Sequence, residues 1–176
     1  ARPPTRGASH AGHARSLMLY LVRHAKAGSR REWTDDDRLR PLAPAGWTQS
    51  ELLGNRLLSS ATGSLVSSPY LRCMQTLQPL ADLVGRPVVA DDRLAEETGF
   101  AGAIELLATL PDGSVLCSHG DVIPDTIGAL ERRGCRIVGS PEWGKASVWT
   151  LTRTGIGPTS SITTAHATAP PASPRT

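Results

Sequence analysis

A chain of 176 residues is long enough to bury the core of one ordinary domain, and one active site is the expectation. Its 19 basic and 16 acidic residues give a formal charge of +3, with Arg2, Arg6 and Arg15 supplying much of the excess at one end. Only 4% of the residues are aromatic and no Lys/Arg run exceeds two, so the basic stripe and stacking platform of a nucleic-acid module are missing.

Along the chain, residues 1–15 are rich in Ala, Gly, Pro, Arg and His without periodicity and read as a disordered tail, as do residues 167–176. His10, His13 and His166 fall in or beside these tails and need no role. The domain is expected over residues 16–166. Leu17–Val22 is the first predicted strand, too short for a signal core or a membrane span, and it runs straight into charged Arg23. A helix follows from Pro44 to about Ser59, with Pro in the first turn and Trp47, Leu53 and Leu57 at core spacing. A strand is predicted at Ser64–Ser67, then a helix from Pro69 to about Val84 with Ser68 as N-cap, in which Pro79 should kink or end the helix.

Further on, a strand at Pro87–Val89, a helix at Ala101–Leu110, a strand at Ser114–Cys117 and a helix at Val122–Arg133 continue the alternation. Ala146–Thr152 and Thr159–Ala165 flank Gly155-Ile156-Gly157-Pro158 and read as a terminal hairpin. Short apolar strands alternating with amphipathic helices define an α/β layered domain, with strands buried on both faces. Cys73, Cys117 and Cys135 form neither an even set nor a C-x-x-C pair, which argues for a reducing, cytoplasmic setting. No His/Asp/Glu cluster has metal-ligand spacing and no Gly-rich nucleotide loop occurs, so neither metal nor cofactor is expected.

Three polar clusters stand at strand ends, where ligands bind in open α/β sheets. They are Arg23-His24, Ser68-Pro69-Tyr70-Leu71-Arg72 and Ser118-His119-Gly120. A histidine at a strand end is commonly structural when alone, and a lone Arg one turn into a helix is commonly solvated. Two histidines and two arginines in matching positions instead point to an anion site built for chemistry.

These residues resemble the histidine phosphatase superfamily, also called phosphoglycerate mutase-like. Its Arg-His-Gly hallmark stands here as Arg23-His24-Ala25, and its Ser-Pro-x-x-Arg-x-x-Gln-Thr motif as Ser68 to Thr76, with Arg72 at the arginine position. Its later His-Gly is His119-Gly120, and Asp37-Arg38-Leu39-Arg40-Pro41-Leu42 is similar to a segment of the small phosphohistidine-phosphatase-like branch. The resemblance spans roughly residues 17–152. It implies a three-layer α/β/α sandwich with a mostly parallel central sheet. It further implies a phosphatase acting through a covalent phosphohistidine at His24, with Arg23, Arg72 and His119 binding phosphate.

The chemistry suits these residues. Phosphoryl transfer needs preorganised cationic donors, and guanidinium forks match phosphate oxygens. Two neighbouring guanidiniums also disfavour protonation of His24 and keep its nucleophilic lone pair free. A general acid must serve the leaving oxygen. The resemblance selects Glu96 in Leu94-Ala95-Glu96, with Glu97 as competitor. Ser29, Arg30 and Arg40 are candidates for the substrate rim, as is Lys145. Arg40 would either bind phosphate or pair with Asp37.

The expected substrate is a phosphorylated small molecule, nucleotides included, or a phosphohistidine protein. A mutase-type phosphoryl transferase and a non-catalytic phosphate-binding module are the alternatives. No nucleic-acid or membrane partner is expected, and the oligomeric state stays open.

Overall fold

Continuous burial along the central strands explains the layering, since Leu65–Ser67 and Ser114–Ser118 are buried at every residue and so are covered on both faces. The computed structural model describes residues 15–172. Strand β1 spans Ser16–Arg23, α1 Pro44–Leu57, β2 Leu65–Ser67, α2 Leu71–Val84 and β3 Val88–Ala90. Helix α3 spans Ala101–Thr109, β4 Ser114–Ser118, α4 Val122–Arg132, β5 Arg136–Val138, β6 Val148–Thr154 and β7 Ser161–Thr168.

The seven strands form one sheet in the order β3-β2-β4-β1-β6-β7-β5. Pairing is parallel for β1–β4, β2–β4, β2–β3 and β5–β7, and antiparallel for β1–β6 and β6–β7. Because neighbouring side chains on a strand point to opposite faces, Val22, Val115 and Cys117 join Leu53 and Leu57 of α1 and Leu77 and Leu80 of α2 in one cluster. Leu19, Leu21, Leu116 and Trp149 pack on the other face with Leu106 and Leu107 of α3 and Ile123 and Ile127 of α4. This is the expected three-layer α/β/α sandwich with a mostly parallel sheet.

Several expectations change in detail. Helix α2 begins at Leu71, and Ser68 is not its N-cap: Tyr70 holds that position without a side-chain bond. Pro79 lies inside α2 without ending it. Leu77, Leu80 and Ala81 beside it are buried, and their packing outweighs the local penalty of roughly 3 kcal/mol for an interior proline. Strand β5 was not anticipated; it is a three-residue edge that pairs with β7.

The expected tails lie largely outside the described residues. Strand β7, however, runs past the boundary at 166 to Thr168, and His166 within it pairs with Val138 and Thr150. Arg153, fully buried, donates to the carbonyls of Leu107 and Leu110 at 2.8 and 2.7 Å, which places positive charge at the C-terminal end of α3.

Register decides where the motifs meet. Arg23 lies opposite Ser118, and Ser67 lies opposite Cys117, so the ends of β1, β2 and β4 are level and release their loops side by side. Helix α1 packs directly on the first of these loops, since a Cβ at Gly46 would stand 1.9 Å from the carbonyl oxygen of Lys26.

Candidate active site

The chain leaves β1 at His24, whose backbone N–H donates to Ser118 at 3.0 Å. The imidazole is 6% exposed and its Nδ1 lies 2.8 Å from the carbonyl oxygen of Ala25. A carbonyl can only accept, so Nδ1 carries the proton and Nε2 keeps its lone pair. Burial lowers the pKa of His24 to about 3, against the Ala25 hydrogen bond and with help from the charges of Arg72, His119 and Arg23. The ring is therefore neutral, with the lone pair of Nε2 free.

The second motif holds the first in place. Ala25 N–H donates to Thr76 Oγ1 at 2.9 Å, and that hydroxyl donates to the Arg72 carbonyl at 2.7 Å. Gln75 Oε1 accepts from the backbone of Leu42 at 2.8 Å. Gln75 and Thr76 thus tie both ends of the β1–α1 connection to α2, a role that sequence reasoning did not assign to them.

Arg72 is fully buried, and its Nη2 donates to Glu96 Oε1 at 2.8 Å and to Asp37 Oδ2 at 3.1 Å, while Nη1 donates to the Asp37 carbonyl at 2.9 Å. Its guanidinium carbon stands 4.9 Å from the centroid of the Tyr70 ring. Arg40 pairs with Asp37 through Nε at 2.8 Å and donates from Nη1 to the Gly28 carbonyl at 2.6 Å. Partial burial would raise the pKa of Asp37, but the Arg40 hydrogen bond and the charges of Arg72, Arg40 and Arg30 hold it below the usual carboxylate range. Arg30, largely exposed, bridges to Glu96 at 3.1 Å and Asp37 at 3.6 Å.

His119 is 1% exposed, with Nε2 at 2.7 Å from Ser68 Oγ and Nδ1 at 3.5 Å from Glu96 Oε1. Its ring centroid lies 5.5 Å from that of His24 and 4.7 Å from that of Tyr70. The Ser68 hydroxyl, expected to cap a helix, makes its shorter contact with His119 and accepts from the Tyr70 N–H at 3.3 Å. Glu96 and not Glu97 reaches Arg72 and His119; the Glu97 backbone adopts φ 65° and its N–H donates to Asp121.

Arg23 is set by the loop between β5 and β6. Its Nη1 donates to the Trp143 carbonyl at 2.6 Å, and Ala146 N–H donates to the carbonyls of Arg23 and His24 at 3.1 and 3.2 Å. A Cβ at Gly120 would stand 2.7 Å from the Arg23 guanidinium carbon, so the side chain lies flat on glycine. No local signal in Glu142-Trp143-Gly144-Lys145 announces this role.

These groups border a cavity of about 610 Å³, lined by Arg23 and His24 together with Ser29, Arg30, Arg40, Glu96 and Lys145. Arg72 and His119 are not on its surface; Glu96 stands against both. The four rim candidates, Ser29, Arg30, Arg40 and Lys145, all reach the cavity, and Arg40 does so while paired with Asp37. Among the described residues no group of three or more His, Cys, Asp or Glu side chains is arranged to hold a metal ion. Among the same residues no helix is long and apolar enough to cross a membrane.

A nucleophile-ready histidine and two arginines at the level ends of parallel strands, in an α/β/α sandwich, define the phosphoglycerate mutase-like class. The family model described as histidine phosphatase superfamily, branch 1, matches residues 19–99, the stretch that carries Arg23, His24, Arg72 and Glu96.

Among solved structures, the SixA protein of Nakamurella multipartitia superposes with a TM-score of 0.65 at 25% identity, covering 90% of this chain and 99% of that one. Its name assigns it provisionally to the phosphohistidine phosphatases. A protein histidine phosphatase SixA complexed with tungstate gives a TM-score of 0.60 at 21% identity, covering 77% of this chain and 87% of that one. This second likeness concerns the fold. The 8-oxo-(d)GTP phosphatase of Mycolicibacterium smegmatis is 34% identical over 115 residues, which is 62% of this chain and 36% of that protein. The matched part spans little more than a third of the length of the curated relatives it resembles.

Proposed function

We propose that this chain is a metal-independent phosphatase that passes a phosphoryl group from a phosphomonoester or a phosphohistidine to Nε2 of His24 and then to water. The observation that carries this reading is the 2.8 Å bond from Nδ1 of His24 to the Ala25 carbonyl, which leaves a buried, unprotonated Nε2 beside the cavity. In the first step a P–N bond forms as the P–O or P–N bond to the leaving group breaks. In the second, water displaces His24 and orthophosphate departs.

Arg23, Arg72 and His119 hold the equatorial oxygens, where charge accumulates in the transition state. Their own partners fix them before substrate arrives, so little reorganisation accompanies the reaction. Glu96, in contact with Arg72 and Arg30, gives a proton to the leaving oxygen and takes one from the attacking water. Arg72 serves once an incoming phosphoryl oxygen displaces or shares the Glu96 carboxylate. The tungstate complex of SixA and the phosphatase name of the mycobacterial relative support an oxyanion site of this kind.

Hydrolysis is favoured over mutase-type transfer because residues 95–100 alone join the turn at Asp92–Leu94 to α3, too short a connection for an inserted lid. A cytoplasmic setting is supported by the free, buried thiols of Cys73, Cys117 and Cys135. The test is turnover of a chromogenic aryl phosphate in EDTA, combined with acid-quench trapping of radiolabelled phosphate on the protein. Wild type should turn over and carry label at His24, and His24→Ala should do neither. Turnover that survives in His24→Ala, or label on another residue, would overturn the covalent reading. Transfer to an added diol without phosphate release would favour the mutase, and phosphate binding without turnover the non-catalytic module.

A further inference from the structure

Two cations on the cavity wall have no part in the reaction described above. Arg40 is 5% exposed, and with Nε on Asp37 and Nη1 on the Gly28 carbonyl its Nη2 has no hydrogen-bond partner among the described residues. Lys145, in the loop between β5 and β6, makes no ion pair among the described residues and also lines the cavity. Burial, followed by the charges of Arg23, Arg40, Lys26 and Arg72, pushes its ammonium pKa down. Lys145 thus faces the cavity without a protein anion to answer it, and Arg40, although paired with Asp37, keeps one unpartnered N–H group; such a concavity attracts an anionic ligand.

One phosphoryl group does not account for this charge. In the proposed mechanism Arg23, Arg72 and His119 serve the oxygens of a single phosphoryl at His24, which leaves Arg40 and Lys145 without a role in it. Glu97 and Asp121 also line the cavity and disfavour an anion beside them. The cavity of about 610 Å³ has the size of a small-molecule site rather than of one phosphate ion.

We propose that Arg40 and Lys145 form a second anion subsite, so that the substrates are diphosphate-terminated small molecules whose terminal phosphoryl meets His24 and whose penultimate phosphate meets Arg40 and Lys145. This rests on the phosphatase reading and names its substrate class. The bond formed joins the terminal phosphorus to Nε2 of His24. The bond broken is that from the terminal phosphorus to the bridging oxygen, which keeps the electron pair and departs on the penultimate phosphate. Water then releases orthophosphate and restores the imidazole.

The test compares binding of orthophosphate and pyrophosphate by calorimetry in EDTA, for the full chain and for Lys145→Ala and Lys145→Arg. Wild type should bind pyrophosphate at least roughly tenfold more tightly than orthophosphate, the scale of one charged contact. Lys145→Ala should bring that ratio close to one, and Lys145→Arg should keep most of it. Equal affinities in wild type, or a ratio untouched by Lys145→Ala, overturn the subsite. Because this readout needs no turnover, failure on aryl phosphates would sink the hydrolase reading while leaving the ratio measurable, and a flat ratio would leave aryl phosphate hydrolysis standing.

Discussion

Glu96 Oε1 stands 2.8 Å from Arg72 Nη2, so the most deeply buried guanidinium of the site is held by the carboxylate that is proposed to handle the proton. Acid and phosphate grip therefore compete for one contact. Glu96→Gln should tighten orthophosphate binding, because Arg72 then faces a neutral amide. The same change should slow hydrolysis of an alkyl phosphate about 100-fold, within the usual range for a lost general acid, and slow a nitrophenyl phosphate far less. Equal losses for the two leaving groups would remove Glu96 from the proton step.

The buried neutral state of His24 has a stability signature. Its pKa is about 3 in the folded protein against an ordinary 6.5, so between these values the unfolded chain binds the extra proton. The contribution is whole above the ordinary value and is lost as pH falls through the interval, at up to about 1.4 kcal/mol per pH unit. Urea titrations across that range should show a shallower pH slope for His24→Gln than for wild type. The acid limb of kcat/KM, corrected for ionisation of the substrate, should likewise not fall near the ordinary histidine value. A limb there that shifts with substitutions at Arg23 would contradict the neutral nucleophile.

Gly120 tests how far the site depends on the placement of Arg23. An added Cβ meets the guanidinium at 2.7 Å, and the side chain cannot settle back without leaving the Trp143 carbonyl. Gly120→Ala should lower kcat/KM on the order of tenfold or more, as expected for a displaced oxyanion donor, with a urea midpoint close to that of wild type. Full activity would show that Arg23 works from another position.

Asp37 joins the buried guanidiniums of Arg40 and Arg72 and, more loosely, the exposed one of Arg30, and its loss exposes which of its roles dominates. In Asp37→Asn, Arg40 remains buried without its carboxylate, and a destabilisation of about 1–2 kcal/mol is expected. Orthophosphate should bind more tightly if the charge on Arg72 is what Asp37 tempers, or more weakly if the placement of Arg72 matters more. The 3.1 Å contact through Nη2 favours the first outcome. An unchanged unfolding midpoint would mean that solvent screens Arg40 as well as Asp37 does.

His24, Arg23, Arg72, His119 and Glu96 were legible because each lies in a short motif beside a strand end, and the parallel register then brings distant motifs together. Asp37 was read only as a partner for Arg40, because nothing local shows that residues 37 and 72 touch. Thr76 was visible within a motif, but its bond to Ala25 spans 51 positions and arises from the packing of α2 on the first loop. Trp143 and Lys145 gave the weakest signal. Their contributions come through a backbone carbonyl and an exposed ammonium, neither of which leaves a side-chain pattern. The errors at Ser68 and Pro79 share one cause: tertiary contacts, to His119 in one case and across the α1–α2 core in the other, overrode local helix preferences.

The carbonyl of Ala25 has one more consequence, in regiochemistry. With Nδ1 occupied by its proton and turned toward that oxygen, any phosphoryl group that His24 carries is bonded at Nε2, giving the tau isomer of phosphohistidine and excluding the pi isomer. Isomer-selective antibodies, or phosphorus–nitrogen couplings in a specifically labelled ring, read this choice directly. A single backbone oxygen, contributed by a residue whose side chain takes no part in the proposed chemistry, thereby sets the constitution of the proposed covalent species.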